Sequence, residues 1–225
     1  VFNGQELTEM LVLENDSAAT GSNLVHQYRP QKVILSSVIH HNPEFETAIA
    51  QGVSFHKLGH TSRLPFSIPV GKPETVGADR LAICAAATFL FPQKNNLVIA
   101  LGSCITYNFI NQQHQFMGGG ISPGLEFRLR SLQQYTAKLP LVAPEPIIPL
   151  IGYDTKTNIL SGTILGMAAE IDGMINAYAA KFGNFNAVLT GGDSSYFAPH
   201  LKNKIFADPN FIYKGLYAIC EYNQV

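Results

Sequence analysis

Residues 97–110 read LVIALGSCITYNFI, two β-branched apolar runs on either side of Gly102 and Ser103. Such runs favour strands, and a Gly-Ser pair between them supplies a turn, so the stretch reads as a β-hairpin. It follows FPQKNN, residues 91–96, which ends a long apolar segment. The chain also opens on a hairpin signal, the Asn3-Gly4 pair in VFNGQELTEMLVLEN, which reads as a β-meander. A second hairpin near residue 97 therefore looks like a restart of the opening programme. The expected boundary lies near 95, giving domains of residues 1–95 and 96–225.

Working outward from that hairpin, KVILSSVI at 32–39 has the β-branched composition of a buried parallel strand leading into the loop HHNPE. EFETAIAQ fits a helix and GVSFHKL another strand. The prolines at 65, 69 and 73 make residues 62–77 loop or edge strand. ADRLAICAAATFLF, residues 78–91, is almost wholly apolar after Arg80, which suits a helix in the interior or at a subunit contact.

On the other side, a strand is expected around QHQFM and a loop at Gly118-Gly119-Gly120. A helix should then start at Ser122, with Ser122 as cap and Pro123 in the first turn; Leu125, Leu129 and Leu132 give it an apolar face. APEPIIPLIGYDT is loop or edge strand, and a long helix runs from about Asn158 to Lys181. A strand in NFNAVLT enters the Gly191-Gly192 turn, and FIYKGLYAICEYN forms a last amphipathic helix. Strands alternating with helices make the fold class α/β.

A net charge of −1 leaves no basic field for nucleic acid or anionic lipid. No apolar run approaches the roughly 20 residues a membrane helix needs, and no leader-like segment opens the chain. Three widely spaced cysteines without a CxxC pair suit a reducing, cytoplasmic compartment. The seven histidines show no HExxH spacing.

Chemistry concentrates in a few short motifs. In GSCIT the Gly102-Ser103 turn offers backbone N–H groups and a hydroxyl to phosphate oxygens, or is an ordinary hairpin turn. In VGADR, Asp79 and Arg80 begin an oily helix. Asp79 is either a general base toward a hydroxyl or a first-turn acid favoured by the helix dipole. Arg80 either forks onto a carboxylate or extends into solvent. The glycine loops GGGISPG and TGGD would let a nucleotide approach the backbone closely, but neither matches GxGxxG or a Walker loop.

The order of these motifs, VGADR, GSCITYNF, GGGISPGLEFRLRSL, IGYDT, TGGD and KGLYAICEYN, resembles the type III pantothenate kinase family from residue 73 to the end. That resemblance implies two RNase H-like domains of the actin-like superfamily, with ATP in the cleft between them. It also implies phosphorylation of pantothenate to 4'-phosphopantothenate, the first step of coenzyme A biosynthesis. By the same resemblance Gly77, Ala78, Asp79 and Arg80 bind pantothenate, Asp79 being the base and Arg80 holding the substrate carboxylate. Thr155 matches a pantothenate-contacting threonine. Gly102 and Ser103 belong to the nucleotide site, Ser103 standing where a threonine is usual, with Gly191 and Gly192 beside it. ATP, Mg²⁺ or a similar divalent ion, a monovalent ion such as K⁺ or NH₄⁺, and a homodimer complete the expectation.

Three departures accompany the resemblance. The family's opening Asp-x-Gly-Asn-Thr hairpin and following lysine are absent from residues 1–225, so the native polypeptide is expected to begin upstream of Val1. Ala100 replaces the aspartate that helps hold the monovalent ion, and Val70 replaces a common tyrosine. The competing reading is a degenerate homologue that binds ligand or assists transcription without transferring phosphate.

Overall fold

The structure is a computed structural model, and residues 1–38 and 41–223 are described. The chain divides into two compact units. The first holds residues 1–92, 114–116 and the segment from 211 onward; the second holds 93–113 and 117–210.

In the first unit β1 (Phe2–Asn3) and β2 (Glu6–Leu7) form an antiparallel hairpin in which Asn3 faces Glu6. The two-residue turn is Gly4-Gln5, one step beyond the Asn-Gly pair, and Gly4 takes φ +57°. The expected meander is only this hairpin. Helix α1 (Ala18–Tyr28) follows, capped by the Ser17 hydroxyl accepting from the Thr20 N–H; the sequence reading did not anticipate it. β3 (Lys32–Leu35) lies parallel to β4 (Ser54–Lys57), the pairing expected of the run at 32–39, but both strands are half-buried to exposed rather than buried. Between them runs α2 (Pro43–Ala50), with Asn42 as cap and proline at its start. Strand β3 ends at Leu35; Ile39 and His40, the expected strand end and loop start, lie outside the described residues. Helix α3 (Ala78–Leu90) buries every residue from Leu81 to Thr88, which is why its sequence is apolar on all sides.

The second unit is built on the hairpin at 97–110. β5 (Asn96–Leu101) and β6 (Cys104–Ile110) pair antiparallel, with Leu101 opposite Ile105. β7 (Phe116–Pro123), of which all but Phe116 belongs to this unit, flanks β6, in a sheet ordered β7-β6-β5-β8-β9. Here the glycine expectation is corrected: Gly118, Gly119 and Gly120 are strand, not loop. A Cβ on Gly119 would sit 1.7 Å from the Tyr107 carbonyl oxygen, so a tertiary approach explains that glycine. The following helix α4 (Leu125–Gln134) is capped at Gly124 rather than Ser122, and Pro123 ends the strand. Leu125 and Leu129 are buried, with Leu132 packed beside them, as the spacing predicts.

Helix α5 (Thr155–Leu160) begins three residues before the expected start. The Asp154 carboxylate accepts from the Thr157 N–H at 2.7 Å, and the Thr157 hydroxyl returns to the Asp154 N–H. The helix continues through a π turn (Ser161–Leu165) into α6 (Gly166–Phe182). β8 (Asn186–Thr190) is parallel to β5, the short α7 (Ser194–Phe197) follows, and β9 (Phe206–Ala207) is parallel to β8. Alternate residues Leu97, Ile99 and Leu101 of β5 and Ile105, Tyr107 and Phe109 of β6 enter one core with Ile164, Met167 and Ile171.

The last helix, α8 (Phe211–Tyr222), belongs to the first unit and lies against α3. A Cβ on Gly215 would come within 1.8 Å of the Ala82 carbonyl oxygen, so the two helices cross in backbone contact. The interior placement expected for residues 78–91 is therefore the one observed. The mixed α/β class holds, although among the described residues the strands of the first unit form two separate two-stranded ladders.

Candidate active site

In the first unit Gly77 caps α3 and Asp79 occupies its first turn. The Asp79 carboxylate folds back over the cap: a Cβ on Gly77 would lie 2.5 Å from Oδ1. Glycine there leaves room for the carboxylate, and the helix N-terminus favours its charge. Residues 77–80 are all half-buried, and Asp79 has no hydrogen-bond or ion-pair partner among the described residues. The Arg80 guanidinium lies 5.4 Å from the centre of the Phe116 ring, within cation–π range. One turn on, burial pushes the Cys84 thiol up to about 12, against the opposing pull of Arg80, so Cys84 is an inert core residue.

In the second unit three glycine contacts gather the predicted nucleotide residues. Gly191, at φ +92°, lies so close to Leu101 that a Cβ would be 2.3 Å from its carbonyl oxygen, and the Asp193 N–H donates to that oxygen at 3.3 Å. A Cβ on Gly124 would be 2.0 Å from the Gly102 oxygen, and the Gly124 N–H donates to the Ser103 oxygen at 3.1 Å. Gly102, Ser103, Gly191 and Gly192 thus lie in one loop cluster. The Gly102 N–H is engaged by the Cys104 oxygen at 3.1 Å, whereas Ser103 has no hydrogen-bond partner for its N–H or hydroxyl among the described residues. Sequence reasoning missed two members, Gly124 and Asp193. Gly124 stands in the quoted GGGISPG run, but its tie to the hairpin is tertiary. Burial, reinforced by the charge of Glu126, raises the Asp193 carboxyl above its ordinary value.

Ala100 pairs in register with Thr106 on β6 and Thr190 on β8, which places the three on one face of the sheet. Thr190 is 2% exposed and its Oγ1 has no hydrogen-bond partner among the described residues. The Asn108 amide donates to Thr106 Oγ1 at 3.0 Å. This row is neutral and does not fit a monovalent ion held by a carboxylate.

Thr155 opens α5 on the wall of a cavity of about 620 Å³, which Arg128, Ser131, Leu132, Leu139, Asn158 and Thr163 also line. That lining contains none of the four predicted nucleotide residues, so Thr155 and the glycine cluster are separate features of the second unit.

The family model described as type III pantothenate kinase matches residues 7–177. The type III pantothenate kinase of Christiangramia forsetii is 42% identical, over 100% of this chain and 93% of that protein. The type III pantothenate kinase of Flavobacterium johnsoniae is 36% identical, over 99% and 92%. Among solved structures, a Campylobacter jejuni protein described as a Baf family transcriptional activator aligns with a TM-score of 0.59 and 20% identity, covering 90% of this chain and 88% of that one. At that identity the likeness speaks for the fold alone.

Proposed function

This chain belongs to the type III pantothenate kinase family, and we propose that Asp79 is the base of the phosphate transfer, with Arg80 holding the substrate carboxylate. The chain is a kinase that phosphorylates pantothenate with ATP in coenzyme A biosynthesis. The observation that supports the assignment of the base is the Asp79 carboxylate at the start of α3, adjacent to Arg80 and without a hydrogen-bond or ion-pair partner among the described residues. Asp79 accepts the hydroxyl proton as that oxygen attacks the γ-phosphate, and the rest of the catalysis is positioning and charge neutralisation. Gly77 and Ala78 let the substrate approach the helix start, and Thr155 is a further contact to pantothenate. Ser103, Gly102, Gly191 and Gly192 receive ATP at the loop cluster.

Mg²⁺ accompanies ATP in this proposal, on the phosphates; among the described residues no group of three or more His, Cys, Asp or Glu side chains is placed to hold a metal ion. A carboxylate-held K⁺ or NH₄⁺ is not part of this proposal, because the row through Ala100 is neutral. Turnover is expected to change little when K⁺ is replaced by Na⁺, and Ala100→Asp to create a K⁺ dependence. Rates measured in each salt check this; a strongly K⁺-dependent wild type that Ala100→Asp leaves unaltered contradicts it.

The finer architecture, two RNase H-like domains divided near residue 95 with the nucleotide held where they meet, is part of the same proposal and rests on the family resemblance. So does a cytoplasmic homodimer. Ile147, Ile151 and Tyr153, each more than 80% exposed, are apolar side chains that a second copy of the chain would cover. Among the described residues no helix is long and apolar enough to cross a membrane.

Pantothenate-dependent release of ADP tests the function, and pantothenate binding without turnover is the result expected of a degenerate homologue. The relatives' names do not favour that second reading. For the acceptor side, Arg80→Ala is expected to weaken pantothenate binding about 10- to 100-fold, the worth of a charge-assisted hydrogen bond. Calorimetry with pantothenate measures it, and unchanged affinity removes Arg80 from the site.

A further inference from the structure

The cavity beside Thr155 contains a guanidinium that the motifs did not single out. Arg128 extends from α4 and is held at three points. Its Nε–H donates to the Pro123 carbonyl at 2.8 Å, and its Nη2 donates to Ser122 Oγ at 3.0 Å and to the Glu170 carboxylate. The second oxygen of Glu170 accepts from the buried Tyr107 hydroxyl at 3.2 Å. Burial opposes the Glu170 charge, but hydrogen bonds from Arg128 and Ser122 and the charge of Arg128 hold its carboxyl below the ordinary value. The Tyr107 hydroxyl is driven the other way, by burial first and the neighbouring Glu170 charge second. The carboxylate is thus fixed between a donor from the sheet and the guanidinium it orients.

These bonds use one edge of the fork. The Nη1 group has no partner among the described residues, and Arg128 lines the cavity that also contains Thr155. The cavity is in the range that receives small ligands, and its lining combines apolar Leu132, Leu139 and Ile159 with convergent polar groups. One wall, at Gly162 and Thr163, belongs to the π turn, an interruption that recurs at functional sites.

We propose that Arg128 is a pantothenate-recognition residue: held by Glu170, Ser122 and the Pro123 carbonyl, it donates from Nη1 to an oxygen of the acid bound at Thr155. The proposal rests on reading Thr155 as a pantothenate contact. Glu170 offsets much of the guanidinium charge, so the free edge acts as a directional donor, suited to the amide carbonyl or the carboxylate of pantothenate. Glu170 is the positioning residue, acting only through Arg128.

Calorimetric titration of pantothenate, with steady-state kinetics on the same preparations, tests this. Arg128→Ala and Arg128→Lys should each raise Kd and KM roughly 10- to 100-fold with kcat little changed, because lysine keeps the charge but not the planar fork. Glu170→Gln should raise Kd less, and Arg128→Ala should mask it in the double variant. Should Arg128→Ala fail to fold, Arg128→Lys carries the comparison. Thr155→Ala separates the two readings. Weakened binding in Thr155→Ala with wild-type Kd in both Arg128 variants makes Arg128 a strut between α4 and α6 and overturns the proposal. Wild-type Kd in all three removes the cavity from the pantothenate site, and the proposal falls with it. A parallel titration with pantothenol, which lacks the carboxylate, identifies the acceptor: a retained Arg128 effect supports the amide carbonyl, and a lost one the carboxylate.

Discussion

Asn in place of Asp79 is expected to lower kcat by about 10²- to 10⁴-fold while the protein remains folded and still binds ATP. The substitution keeps the shape of the side chain that lies over Gly77, 2.5 Å from where a Cβ would be, so the start of α3 should be undisturbed. What it removes is the acceptor for the hydroxyl proton. The half-buried Asp79 carboxylate has no protein partner among the described residues that would be left unpaired, so the loss should appear in turnover rather than in the melting temperature. Thermal melting and single-turnover kinetics on one preparation check both halves. Near-normal turnover would assign the base elsewhere.

The second large effect is structural. Gly191→Val should destabilise the second unit by about 3 kcal/mol or more, combining backbone strain with overpacking. An L side chain at φ +92° is strained, and its Cβ would be driven to 2.3 Å from the Leu101 carbonyl oxygen. Because Gly191 holds the TGGD turn against the tip of the β5–β6 hairpin, nucleotide affinity should fall with stability. Gly192 is the control: a Cβ there meets nothing within 4 Å, so Gly192→Ala should leave stability close to wild type. Denaturant melts of the two variants measure the contrast, and equal stabilities would mean that the hairpin and the turn do not depend on that contact.

What could be read from the sequence was strongest where one segment carries its own signal. The β5–β6 hairpin announces itself through two β-branched runs, and α3 through an unbroken apolar stretch that only an interior helix can bury. Helix α1 carries no such signal: AATGSNLVHQY mixes weak helix formers with few apolar residues, leaving only the Ser17 cap to mark its start. Gly118–Gly120 read as loop because glycine runs usually are; that Gly119 serves a close approach to Tyr107 is a property of the paired strands. The start of α5 reads late because the Asp154–Thr157 capping box follows directly on a proline-broken segment that reads as loop to its end.

The candidate site divides in the same way. Asp79 and Arg80 stand out as charges at the head of an oily helix, and Ser103 at the tip of a hairpin. Gly124, Asp193 and Arg128 do not, because each acquires its setting from residues far along the chain: Gly102, Leu101 and Glu170, respectively.

The most direct test of the whole account follows the phosphorus. Purified protein is incubated with pantothenate and ATP labelled in its γ-phosphate, wild type beside Asp79→Asn, and labelled phosphopantothenate is quantified against ADP. Equimolar products are expected from the wild type, and at least about 10²-fold less of both from the variant. Binding of both substrates by the wild type without labelled product, or equal turnover by the two proteins, would contradict it.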